Sequence, residues 1–284
     1  MERLQDRLAY HLYKRIESRL LNCADYVVTL TERSIPKIRK LAGPSWVPIV
    51  VIPCCADFDV LMPPTRLERE RIRRVLGIGE ADVVLAYLGS LGTWYQFAEM
   101  LRFFKLVRET RPNSWWLIIT KDWGEEHDNA VLSIGGSELK NAILVRPAER
   151  QDVRELLCAC DVMLSFIRPA HSKLASSPIK LGEALAMGIP SINSRGIGDV
   201  DQLVEALAAG VVIDSTRDDE QAAAVERLDK VIAMSGGGLR ERSRPHLGLE
   251  VALSRYQSVY EVLEGSVDDN ARESESSDRL GGLH

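Results

Sequence analysis

Between Asp82 and Met234 the chain alternates between two hydrophobic patterns. Short runs that are apolar throughout (VVLAYLG, WWLIIT, AILVRP, VMLSFI, IPSIN and VVID) read as strands buried on both faces. The segments between them carry a helical period. FAEMLRFFKLVRETRP places Phe97, Met100, Leu101, Phe104 and Val107 on one face and stops at Pro112. DVRELLCAC, PIKLGEALAM and VDQLVEALAAG read the same way, and a further helix is predicted over 219–234. Six such strands alternating with helices predict an α/β fold, a Rossmann-like, doubly wound parallel sheet.

The flanks are patterned differently. Leu4, Leu8, Leu12, Ile16 and Leu20 recur every four residues and predict one amphipathic helix over 1–22. Its apolar stripe is expected to pack against the same chain, the alternative being a membrane surface. DYVVTLT and VPIVVIP read as short strands, 34–41 as a helix and FDVLMPP as a linker. After the SGGG break at 235–238, a last helix is predicted over about 248–263, and the polar segment 265–284 reads as disordered.

Composition narrows the function classes. Among 284 residues, 45% are apolar and 27% charged, which excludes wholesale disorder and collagen-like sequence. A net charge of -5 argues against a nucleic-acid partner. The charged start lacks the apolar core of a secretory signal, so the expected location is the cytoplasm, with peripheral attachment at the inner face of the membrane as the alternative. Cys23, Cys54, Cys55, Cys158 and Cys160 are odd in number and lack zinc-site spacing; reduced, partly buried thiols are expected, and no metal site.

An open parallel sheet binds ligands at the carboxyl ends of its strands, and three segments map there. Gly89-Ser90-Leu91-Gly92-Thr93-Trp94 follows the first strand as either an anion cradle or a plain tight turn. Ala175-Ser176-Ser177-Pro178-Ile179-Lys180-Leu181-Gly182-Glu183 opens a helix, with Ser177 as N-cap and Pro178 as first helical residue. Lys180 in the first turn suits a pyrophosphate, and Glu183 on the same face suits ribose hydroxyls; alternatively the two form a surface ion pair. Arg146-Pro147-Ala148-Glu149-Arg150 is a nucleobase wall or an ordinary loop. Arg168 and His171 sit before the Ser-Ser-Pro helix, Asp199 is a predicted N-cap, and Asp57 and Asp59 begin a turn. Ser-His-Asp, HExxH and Walker arrangements are absent from the sequence.

Together these segments resemble the retaining glycosyltransferases of the GT-B fold, the group 1 (family 4-like) transferases that include sucrose synthases and bacterial mannosyltransferases. YVVTLTERSIPKI resembles the end of their acceptor domain, VVIPCCADFDVLMP the entry to the donor domain, and VVLAYLGSLGTWY its first strand and glycine turn. SSPIKLGEALAMGIPSI resembles the signature helix, with Glu183 on its second acidic position. The resemblance implies a nucleotide-sugar substrate (UDP-, GDP- or ADP-linked), no cofactor and no metal. It implies transfer with retention to a glycan, lipid or small-molecule acceptor. The base would lie by Arg146, Pro147 and Ala148, the ribose on Glu183, and the phosphates by Gly89–Thr93 and Ser176–Ile179. Lys180 and Arg168 would stabilise the departing diphosphate.

The sequence departs from that family in three respects. Ala175 stands at the first acidic position, which contacts the donor sugar, and Trp94-Tyr95-Gln96 stands where Lys-Gly is usual. The chain also starts near the end of the acceptor domain. The expected organisation is a remnant of that domain over 1–55, a donor domain over 56–245, a helix over 246–264 and the tail over 265–284. A partner supplying the rest, or self-association, is expected. The alternative is a non-catalytic nucleotide-sugar-binding or partner-binding subunit. An epimerase would need an acid/base pair for which the sequence offers no candidate.

Overall fold

The computed structural model describes residues 2–44 and 46–280, with side chains over 9–44 and 46–265. It divides into two units, residues 1–53 with 250–284, and residues 54–249.

The first unit begins with α1 (Glu2–Cys23), β1 (Val27–Thr29), α2 (Ile35–Ala42) and β2 (Ile49–Val51). The two strands pair in parallel, Val28 opposite Val50. Ser18 Oγ on α1 donates to the Leu41 carbonyl at 2.9 Å. Leu12, Ile16 and Leu20 are exposed, contrary to the expectation that the stripe packs against the chain. The face of α1 turned inward is a neighbouring one, on which Lys14, Glu17, Ser18 and Leu21 are half-buried.

The second unit carries α3 (Arg66–Leu76), β3 (Val83–Leu88), α4 (Phe97–Thr110), β4 (Ser114–Ile119), α5 (Glu125–Asn141), β5 (Ile143–Arg146), α6 (Val153–Leu157), β6 (Val162–Ser165), α7 (Ile179–Ala186), β7 (Ser191–Ser194), α8 (Val200–Ala206), β8 (Gly210–Ile213), α9 (Asp218–Glu226), α10 (Leu228–Ile232) and α11 (Gly237–Leu247). Its six strands form one parallel sheet in the order β5-β4-β3-β6-β7-β8. Both faces are covered. Val84, Ala86 and Leu88 of β3 join one apolar cluster, while Leu85 and Tyr87 join the other with Phe103, Phe104 and Trp116. This double burial is why these strands lack alternating polarity.

The order reverses between β3 and β6, and their pairing is short. Six residue pairs join β3 to β4, but two, Leu85 with Val162 and Ala86 with Met163, join β3 to β6. The strands therefore part towards their carboxyl ends and leave a crevice there. Their amino ends are clamped. Asp161, just before β6, accepts from Val84 N (2.8 Å), Arg73 Nη2 (2.7 Å) and Arg69 Nη2. Arg73 is buried and also donates to the carbonyls of Gly79, Glu80, Asp82 and Ala159 at 2.9–3.1 Å.

Three helices escape the sequence reading. α3 buries Arg73 among its core residues, so its apolar face is incomplete, although Thr65 and Glu68 form a capping box. α5 is interrupted at Gly136, with φ +66° and ψ -164°. α11 starts in the glycine run and carries Pro245. The helix expected over 219–234 is broken at Arg227 into α9 and α10.

The last helix, α12 (Leu249–Leu280), belongs with the first unit from Glu250 onward. Arg255 Nη1 donates to the Val51 carbonyl at 2.8 Å. Its backbone is helical through Leu280, where disorder was expected from 265; the segment is polar but free of proline, so its composition permits a helix. Residues 281–284 of the expected tail lie outside the described residues. All five cysteines are free thiols, with Cys158 and Cys160 buried.

Candidate functional site

The crevice is lined by the turn after β3 and the chain from β6 to α7. Gly89 adopts φ +113°, a left-handed conformation suited to glycine, and its N–H donates to the Ile119 carbonyl. Ser90 Oγ accepts from Gly92 N at 3.2 Å, closing a compact turn. Gln96 N donates to the Phe166 carbonyl (3.0 Å) and Arg168 N to the Trp94 carbonyl (2.8 Å), lacing the glycine loop to the end of β6. These bonds bring Arg168, exposed to solvent, beside the loop. Thr93 is exposed at its tip.

Lys180 is the unusual group. It is buried, and its Nζ has no hydrogen-bond partner among the described residues. A Cβ placed on Gly89 would lie 3.6 Å from Nζ, so the ammonium rests against bare backbone. Nζ also lies 4.1 Å from the centre of the Tyr87 ring and 3.9 Å from that of Tyr95. Burial pulls its pKa down to about 7, with the nearby Glu183 charge opposing that shift. The alternative of a Lys180–Glu183 surface ion pair does not hold: the lysine points inward, because its helix starts at the mouth of the crevice.

Glu183 is half-buried one turn further along α7. Burial raises its pKa, while Arg150 and Lys180 favour its charged form. Arg150 belongs to the loop after β5, so the Arg146–Arg150 segment and α7 meet electrostatically. In that loop Arg146 and Ala148 are half-buried and Pro147 is exposed.

The helix start differs from its prediction by one residue. Pro178 is the N-cap of α7 and Ile179 its first residue. Ser177 Oγ instead accepts from Cys54 N at 3.1 Å, which ties the helix start to the segment before α3. Ser176 and Ala175 close a short 3-10 turn (His171–Ala175). Asp199 stands at the N-cap of α8 without a side-chain capping bond. Asp57 Oδ1 accepts from Asp59 N and Val60 N, the expected turn.

The family model for glycosyl transferases group 1 matches residues 68–242, more than half of the chain. The chain belongs to that family. Solved structures with the same fold include sucrose-phosphate synthase from Thermosynechococcus elongatus, with a TM-score of 0.69, 16% identity, and coverage of 90% of this chain and 62% of that one. Anabaena HepE in complex with UDP and glucose has a TM-score of 0.66 and 17% identity, covering 88% and 66%. A glycosyltransferase from Rickettsia africae has 0.65 and 14%, covering 86% and 65%. The chain thus spans about two thirds of the length of these proteins. A search of curated sequences finds no match. The neighbours have the GT-B fold, and the six-stranded sheet of this family member matches its Rossmann-like half.

Sequence reasoning singled out Gly89, Ser90, Lys180, Arg168 and Glu183, which lie on the segments around this crevice, but gave Tyr87 and Tyr95 no role. The missed signal was Tyr95 in the segment where a basic pair is usual. Trp94, next to it, carries the Lys173 ammonium over its ring at 4.3 Å. No described helix is long and apolar enough to cross a membrane.

Proposed function

We propose that this chain binds a nucleotide sugar at the β3/β6 crevice and transfers the sugar, with retention of configuration, to a hydroxyl-bearing glycan, lipid or small molecule. The observation that carries this reading is Lys180: a buried ammonium without a hydrogen-bonding partner, aimed at a glycine turn, in a group 1 transferase. Burying a cation unpaired costs stability, and a diphosphate would supply the missing partner. As the sugar–phosphate bond breaks, its electron pair stays on the diphosphate. Lys180, with Arg168 at the rim, faces that growing charge. The Glu183 carboxylate accepts from ribose hydroxyls, and Arg146, Pro147 and Ala148 edge the base. UDP is the first nucleotide to test, because HepE is seen with UDP and glucose.

The test is thermal unfolding with UDP-, GDP- and ADP-glucose. Ligand at 100 times its Kd adds about 2.7 kcal/mol, or roughly 5–10 °C at this size. Glu183→Ala should weaken the nucleotide that binds by about 1.5–3 kcal/mol, ten- to a hundredfold. A second reading, a non-catalytic binding subunit, is favoured by Ala175 at the sugar-contacting position. Nucleotide binding without transfer across a broad acceptor panel supports it. A folded sample that no nucleotide sugar stabilises overturns the donor-site assignment.

A further inference from the structure

We propose that Tyr95 is a positioning residue for the donor diphosphate, holding the Lys180 ammonium in the crevice by its ring face together with Tyr87. The inference rests on the donor-site reading above and extends it to residues outside the ligand's own contacts. The Tyr87 and Tyr95 rings meet edge to face, with centroids 5.9 Å apart and planes at 80°, and Nζ sits in the corner they make. Tyr87 is itself fixed: it is fully buried, and its hydroxyl donates to the Ser90 carbonyl of the glycine turn. Tyr95 is fixed through the backbone, its N–H donating to the Gly92 carbonyl at 3.0 Å.

This arrangement does what a carboxylate could not. A salt-bridge partner would occupy ammonium donors and cancel the charge. Two ring faces attract the cation through their quadrupoles without cancelling its charge, and no hydrogen bond among the described residues engages its N–H donors. They also restrain a flexible four-carbon stem that no hydrogen bond restrains. The charged and titratable groups around Nζ are Glu183 on its own helix, Tyr87 on β3, Tyr95 before α4, and Asp122 after β4, whose charge acts on Tyr87.

The experiment compares Tyr95→Phe, Tyr95→Leu and Lys180→Met with the unaltered chain, titrated with UDP-, GDP- and ADP-glucose at pH 6 and pH 8. Both phosphates of these probes are esterified, so their charge is constant across that range and any pH effect belongs to the protein. Tyr95→Phe keeps the ring face and should bind within twofold of the parent at both pH values. Tyr95→Leu should lose about tenfold at pH 8 and threefold or less at pH 6, where the ammonium keeps its proton without the ring's help. Retained binding at pH 6 also shows that the variant is folded. An equal loss at both pH values, or a Phe variant as weak as the Leu one, overturns the positioning role. Loss in Lys180→Met with Tyr95→Leu unchanged overturns it too and leaves the donor site standing. No binding by the unaltered chain, or unchanged binding in Lys180→Met, removes the donor-site reading and this inference with it.

Discussion

Lys180→Met should make the protein more stable and close to inert. Burial holds the lysine pKa at about 7, below its ordinary 10.5. Below pH 7 the folded chain must carry an unpaired buried ammonium, a cost on the order of 3–5 kcal/mol. Between pH 7 and 10.5 the unfolded chain binds a proton there that the folded chain has released, so stability rises with pH relative to the variant. The methionine, similar in reach and uncharged, removes that cost. Its melting temperature should exceed the parent's by roughly 10 °C at pH 6, and the gap should shrink steadily above pH 7. Affinity for a nucleotide sugar should drop by about ten- to a hundredfold at pH 6.5, and any transfer rate by about 10²–10³. In the parent, affinity should decline as pH rises through 7, because the free site has lost the proton that the bound diphosphate requires. Melting curves and titrations over pH 6–9 check this. A variant less stable than the parent at pH 6 would refute the energetic account.

The opposite outcome is expected at the other end of the same strands. Arg73→Ala should cost about 3–5 kcal/mol, the range for removing one partner of a buried ion pair. The guanidinium bonds Asp161 and four backbone carbonyls, and alanine would leave those acceptors buried. Burial lowers the Arg73 pKa and the opposing Asp161 charge raises it, which places the pair in a largely desolvated setting. Denaturant titration should show the midpoint fall. Asp161→Asn in the Arg73→Ala background should cost less than in the parent, since the carboxylate has already lost one of its two arginines. A loss below 1 kcal/mol for Arg73→Ala would show that the clamp contributes little to holding β3 against β6.

Most of the parallel sheet was legible because its strands are buried on both faces and read as unbroken apolar runs. The signature segment 176–192 pointed to a helix start after β6, and the structure puts Lys180 and Glu183 on the helix that begins there. What stayed hidden had physical reasons. α3 puts an arginine where a periodicity argument looks for an apolar side chain, and its burial is justified by an aspartate 88 positions later. α5 contains a glycine outside the helical region. Ser177 has the sequence credentials of an N-cap, but its hydroxyl is engaged by Cys54, a partner 123 positions away. Tyr95 lacks any local signature, since its role depends on a lysine that reaches it across the crevice.

The strand order also has a consequence for how the molecule assembles. β3, β4 and β5 are neighbours in both chain and sheet, and so are β6, β7 and β8. Each trio can close by short crossovers. Joining the trios requires the β3–β6 junction, a contact of much longer range and therefore a later and slower one. Gly89 comes from the first trio and Lys180 from the second. The pocket we propose for the nucleotide therefore forms only once the two halves have met, and a ligand bound between Gly89 and Lys180 would latch the last joint to close, slowing its reopening.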